Sequence, residues 1–351
     1  MVKTAVVEKP GVLTLREVPM PEPGEYGALC KMLYGATCSG TDRHLLHGRI
    51  PWPVYYPTAV GHESIGQVVA VGEKARNYKI GDMVTRVGLR DEDCKKSGLN
   101  HNWGGFSSYG VAMDYMAMRD DGLDRAEWGR YTVNHVIPPD FDPRAATMII
   151  TWRETLSYML RMGVYEGSSV LVLGSGGNGL SFIHLAKALG ARHVSAVGSA
   201  GRRENAERAG ADAYYDYRTA DWDKNLSDNG KVGSGGSAGS FDFIIDAAAS
   251  EDGLRRSLKY LKPGGVCGVY ALETDPSKRV LIAPSDSKGF SYYIGSYDEE
   301  ETNDRVVALV RDGKLDASIW LDYGHIFELD DILAVYENIE NKRFVKALVR
   351  L

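Results

Sequence analysis

The chain has 351 residues, a formal net charge of −6, and 44% hydrophobic against 25% charged residues. At about 100 to 200 residues per domain, that length predicts two domains, and the composition supplies packed cores and no case for disorder. The negative charge offers no long-range attraction to nucleic acid or acidic membrane surfaces, and no apolar run is long enough to span a bilayer, so small-molecule partners are expected.

The opening residues, MVKTAVVEKPGVLTLREV, alternate in strand fashion and lack the apolar core and cleavage site of a secretory signal. Four widely spaced cysteines, Cys30, Cys38, Cys94 and Cys267, suit reduced thiols better than a disulfide framework, which points to the cytoplasm. Up to about residue 150, short β-rich segments are separated by Gly and Pro punctuation, as in an irregular barrel-like domain. From residue 151 strands alternate with helices, the pattern of a doubly wound parallel sheet. SSVLVLG, HVSAVGS and FDFIIDAAA read as strands, with VCGVYAL as a further one after the turn KPGG, while GLSFIHLAKALG and RRENAERAGA read as helices. The second domain is expected over 151–294, with 295–351 returning to the first domain (1–150) and ending in the strand-like FVKALVRL. The Gly/Ser-rich stretch 225–240 reads as a surface loop. Its GGSAG is a formal Gly-x-Ser-x-Gly match that lacks the strand before and helix after that a nucleophile elbow requires.

The most specific motif is GSGGNG. Gly174, Gly176 and Gly179 follow the apolar strand SSVLVL and open a helix, so the backbone can turn tightly and bring N–H groups and the positive helix end to a dinucleotide pyrophosphate. Where the second strand ends, an acid that would hold the ribose of NAD is missing. Gly198 and Ser199 stand there, with Arg202 and Arg203 just beyond. A hydroxyl and guanidinium groups suit a ribose 2′-phosphate, which a carboxylate would repel, so NADP(H) is the expected cofactor.

Residues 35–87, with GATCSGTDRHLLHG and YYPTAVGHESIGQVVAVGEKARNYKIGDMV, resemble the medium-chain dehydrogenase/reductase superfamily, in its zinc-type alcohol and polyol dehydrogenase branch. The resemblance implies a GroES-like β-rich catalytic domain joined to a Rossmann domain, and a homo-oligomer formed through the sheet edge at FSYYIGSY. It also supports Ser199 in the cofactor site and suggests Tyr217 beside the adenine. Thr41 matches the hydroxyl that touches the substrate oxygen, His44 the histidine that passes a proton to solvent, and Asp42 the acid that orients a ligand histidine. His62 and Glu63 match the Gly-His-Glu element of the catalytic zinc site. The family pattern is broken at two ligand positions, where Ser39 and Thr151 stand, and Ser and Thr are poor zinc ligands. Either a one-residue bulge brings Cys38 in, with Glu63 or Glu154 supplying an oxygen, or the site is vestigial. No structural zinc is expected, because Cys94 is alone in its lobe with only His101 for company.

The expected activity is hydride transfer between a secondary alcohol and NADP⁺, with Thr41, His44 and Glu63 as the catalytic polar groups. Arg49, Trp52, Tyr55 and Tyr56 lean towards a polyol or sugar-like substrate, although aromatics beside prolines also simply pack. Zinc-free reduction of an activated C=C bond is the alternative within enzymes. A cofactor-binding protein without catalysis is the alternative outside them.

Overall fold

A computed structural model of the protein describes residues 1–38, 40–229, 240–271, 289–293 and 295–351. Ser39 and the GGSAG segment therefore lie outside the described residues. In chain order the strands are β1 (Val2–Lys9), β2 (Val12–Val18), β3 (Gly27–Ala36), β4 (Thr58–Ala59), β5 (Glu63–Val71), β6 (Met83–Thr85), β7 (Asn100–His101), β8 (Tyr109–Met113) and β9 (Val136–Ile137). These are followed by β10 (Ser169–Leu173), β11 (His193–Gly198), β12 (Ala213–Asp216), β13 (Phe241–Asp246), β14 (Leu261–Val269) and β15 (Ser291–Tyr293). Two more, β16 (Leu321–Glu328) and β17 (Lys346–Arg350), end the chain. No helix among the described residues is long and apolar enough to cross a membrane.

The chain divides into two compact units, one of Met1–Ile150 with Trp320–Leu351 and one of Thr151–Ile319. In the first unit β1 and β2 form the antiparallel hairpin that the opening alternation predicts, paired from Val2 with Val18, in a sheet ordered β2-β1-β4-β7. The larger sheet runs β16-β17-β3-β5-β6-β9, with β8 also on β3. Two pairings in it matter for the site. Ala36 at the end of β3 lies opposite Glu63 at the start of β5, and β17 returns antiparallel to β3, with Leu348 opposite Ala36.

The second unit is a parallel sheet ordered β12-β11-β10-β13-β14-β15, a doubly wound arrangement whose order reverses between β10 and β13. All five residues of β10 are buried, as expected of a strand covered on both faces. The KPGG stretch, read from sequence as a turn before a strand, lies inside β14. Leu261 pairs with Phe241 and Val266 with Phe243, so the extra residues bulge out between the two pairings.

Residues 295–319 belong to the second unit, not to the returning segment expected from 295. The physical reason is a buried cation. Arg153, fully buried, pairs with Glu299 at 3.0 Å and donates to Asn303 at 3.2 Å, while Thr302 donates to the Arg153 carbonyl at 2.9 Å. A guanidinium taken out of water needs such partners, and they hold the segment to the helix Met148–Met162.

Candidate active site

Three strand ends of the first unit converge on one buried point. Cys38 follows β3, His62 and Glu63 open β5, and Lys346 opens β17. One ligand atom each from Cys38, His62 and Glu63 lies within 4.8 Å of the others, and all three residues are buried. Thiolate, imidazole and carboxylate together form a donor set that zinc accepts. Cys38 is thus brought to the ligand group despite standing one residue early in the motif. Among the described residues, this is the one group of three His, Cys, Asp or Glu side chains so arranged, and Cys94 with His101 does not form another.

Asp42 closes the loop that carries Cys38. Its carboxylate accepts from the Cys38 N–H at 2.8 Å, and its own N–H donates to the Cys38 carbonyl at 2.9 Å. The second carboxylate oxygen lies 3.6 Å from His62 Nδ1, too far for a hydrogen bond, and both atoms are buried without a partner. Burial pushes Asp42 up to about 7, with the facing His62 pulling it back. A proton assigned to Nδ1 leaves the Nε2 lone pair for a metal, which is the arrangement a carboxylate imposes on a ligating histidine.

Sequence reasoning missed Lys346. Its fully buried ammonium donates to Glu63 Oε1 at 2.6 Å and to the Thr37 carbonyl at 3.2 Å, and it also bonds Glu63 Oε2. Burial alone would depress this ammonium, but Glu63 with Cys38 and Asp42 overrides that and holds it above its ordinary value. Each carboxylate oxygen keeps a second lone pair, so Glu63 can serve Lys346 and still offer an oxygen to a cation.

Thr41 and His44 are one turn apart on the helix Thr41–Leu46. The Cys38 thiol donates to the Thr41 hydroxyl at 3.7 Å, which sets that hydroxyl beside the ligand group. His44 is partly buried. Arg43 and His47, on either side of it, both bond Glu340, at 3.1 and 2.9 Å, and tie the short helix to the helix Ile332–Glu340. Trp103, also missed from sequence, stacks at a tilt on His62 with ring centroids 4.9 Å apart.

In the second unit, Gly174 follows β10 with φ of +109°, a conformation that favours glycine. Gly176 is the N-cap of the helix Gly177–Ala188, and no side chain caps it. A Cβ on Gly179 would sit 2.1 Å from the Gly174 carbonyl oxygen, so the helix packs against the turn only with glycine there. Gly179→Ala is expected to weaken nucleotide binding at least about tenfold in a direct titration, because the turn must open to admit the methyl. Unchanged affinity would show that the turn does not form the pyrophosphate cradle.

At the end of β11, Ser199 is held by Tyr214. The phenol donates to the Ser199 carbonyl at 2.7 Å and lies 2.8 Å from the Ser175 hydroxyl of the glycine turn. Arg203 stacks over the Tyr214 ring at 5.0 Å, while burial pulls the Arg202 guanidinium below its ordinary value. Tyr217, three residues further on, is 49% exposed and has Arg218 over its ring, so the tyrosine bonded into this corner is Tyr214. The acid here, Asp216, lies opposite Gly198 on the neighbouring strand and accepts from the Arg218 N–H at 3.0 Å. Thr151 and Glu154 belong to the second unit. The Thr151 carbonyl accepts from Thr155, and Glu154 accepts from the Tyr270 hydroxyl at 3.3 Å.

Comparison with known proteins agrees with both halves. The model described as an alcohol dehydrogenase GroES-like domain matches residues 24–125, and the one described as a zinc-binding dehydrogenase matches residues 177–317. The chain is 27% identical over 354 residues to L-galactonate-5-dehydrogenase of Escherichia coli (strain K12), covering 98% of this chain and 97% of that protein. It is 25% identical over 358 residues to D-arabinitol dehydrogenase 1 of Uromyces fabae, covering 98% and 95%. A solved structure from Sinorhizobium meliloti 1021 bound to NADP aligns with a TM-score of 0.80 at 25% identity, over 100% of this chain and 99% of that one. From the glycine turn, the Gly-His-Glu element and these likenesses along its whole length, the chain belongs to the medium-chain dehydrogenase/reductase superfamily, as an enzyme of the alcohol and polyol dehydrogenase type.

Proposed function

We propose that this enzyme interconverts a secondary alcohol of polyol type and its ketone with NADP(H), using a zinc ion held by Cys38, His62 and Glu63. The observation that carries this reading is the buried convergence of those three donors, with the Thr41 hydroxyl bonded to Cys38. When bound, zinc acts as a Lewis acid that lowers the pKa of the alcohol. Thr41 takes the substrate hydroxyl proton into its own hydrogen bond, and His44, one turn along, passes it to solvent. Asp42 faces His62 across 3.6 Å, and Lys346 fixes the position of Glu63 by donating to its carboxylate. The polyol relatives named above support the substrate class. By analogy with the family, the edge strand β15 is the surface through which copies of the chain associate.

The preference for NADP(H) rests on the corner built from Ser199, Arg202 and Arg203, where no carboxylate occupies the end of β11. The NADP-bound neighbour is consistent with it. Replacing both arginines by alanine is expected to weaken NADP⁺ binding roughly tenfold to a hundredfold, as charge-assisted hydrogen bonds are lost, with a much smaller change for NAD⁺. Tighter binding of NAD⁺ than of NADP⁺ by the unaltered enzyme would defeat this assignment.

One observation favours a second reading, zinc-free reduction of an activated C=C bond. Lys346 already neutralises Glu63, so the cluster is balanced without a metal. Metal content and turnover of alcohols against enones separate the two.

A further inference from the structure

A cavity of about 250 Å³ opens in the first unit among Arg86, Gly88, Trp103, Arg130, Tyr131 and Asn134. Two of its lining residues touch His62. Arg86 Nε donates to the His62 carbonyl at 3.3 Å, and the Trp103 ring stacks on His62.

Two of its lining residues are held in a conformation that costs free energy. Among the described residues, four non-glycine residues have positive φ, and Arg86 at +56° and Trp103 at +69° are two of them. Trp103 is the centre of a three-residue turn closed by the Gly104 N–H on the Asn102 carbonyl at 3.0 Å. Glycine or asparagine would relieve either position, yet a guanidinium and an indole stand there, and such strain gathers where side chains must meet a ligand.

Three arginines line the cavity. Arg90, also on the wall, is balanced by Asp93 at 2.8 Å and Glu92 at 2.7 Å. Arg130, at the exposed side of the wall, has its guanidinium over the Tyr131 ring at 5.3 Å. Burial first, and then Arg130, holds the lining His101 below its ordinary pKa. The acid that opposes this field, Asp91, is itself bonded by Lys95 at 2.6 Å. Guanidinium groups beside indole and phenol rings suit a planar or tetrahedral oxyanion on a short carbon chain, whose C–H face packs on the aromatics.

We infer that this cavity binds a carboxylate or phosphate at one end of the substrate, so that the alcohol oxidised beside His62 belongs to an anionic polyol. The inference rests on the alcohol dehydrogenase reading, but binding can be measured apart from turnover. Isothermal titration of the full enzyme with D-gluconate, sorbitol 6-phosphate and sorbitol is expected to show at least one anion binding tenfold or more tighter than sorbitol. Tighter binding of the phosphate than of gluconate assigns the phosphate, and the reverse assigns the carboxylate. In Arg130→Gln that preference is expected to fall roughly tenfold to a hundredfold, with Arg130→Lys restoring part of it. Equal affinity for all three compounds, or a preference left within twofold by Arg130→Gln, overturns the inference. Turnover of neutral secondary alcohols with NADP⁺ in the same preparation tells the two failures apart: turnover without anion preference removes the cavity assignment alone, and anion preference without any turnover removes the dehydrogenase reading.

Discussion

Cys38→Ala is expected to abolish stoichiometric zinc in protein purified without chelator, and kcat for alcohol oxidation is expected to fall by about a thousandfold or more. The magnitude follows from the several kcal/mol that a Lewis acid contributes to stabilising a developing alkoxide. The thiol is buried and donates to the Thr41 hydroxyl across a long contact. Nucleotide binding, expected at the glycine turn of the second unit, should be unchanged and serves as the folding control. Zinc retained in Cys38→Ala would remove Cys38 from the ligand group. Zinc absent from the unaltered enzyme, with alcohol oxidation intact, would exclude the metal from the reaction.

Lys346→Met is expected to destabilise the first unit by about 3–5 kcal/mol, because it removes one partner of a buried ion pair, the ammonium bonded to the Glu63 carboxylate. For a domain of this size that corresponds to a fall of roughly 10 °C in melting temperature. The double variant Glu63→Met with Lys346→Met should recover most of the loss, since an apolar pair of similar volume carries no desolvated charge. Denaturant unfolding of the three proteins gives the comparison. A single Lys346→Met variant as stable as the unaltered chain would show that Glu63 is solvated or protonated, contrary to the geometry described.

What could be read from the sequence depended on how local each feature is. The glycine turn was legible because Gly174, Gly176 and Gly179 act within one strand-turn-helix, and a Cβ at Gly179 collides with a carbonyl only five residues away. His62 and Glu63 were legible as adjacent residues of one motif. Lys346 was not, because its partner is 283 residues away and the two meet only through the pairing of β17 with β3 and of β3 with β5. The signal was present in FVKALVRL, where one lysine interrupts an apolar strand. Trp103 stayed hidden because its position depends on a positive φ in a loop without hydrophobic period. Tyr214, whose hydroxyl makes the hydrogen bonds at Ser199 and Ser175, was not singled out from sequence. Where a strand ends decides which of two nearby tyrosines turns inward, and strand ends are set by pairing, here of Gly198 with Asp216. The segment 295–319 was assigned by composition to the first domain, but the Arg153 ion pair with Glu299 holds it in the second.

The most direct test is the reaction itself. Incubating the zinc-containing enzyme with NADP⁺ and a panel of neutral and anionic secondary polyols should produce reduced nicotinamide together with an equal amount of ketone, and NAD⁺ should serve less well. Bound NADP(H) without ketone from any polyol, or reduction of an enone by enzyme free of zinc, would contradict the account.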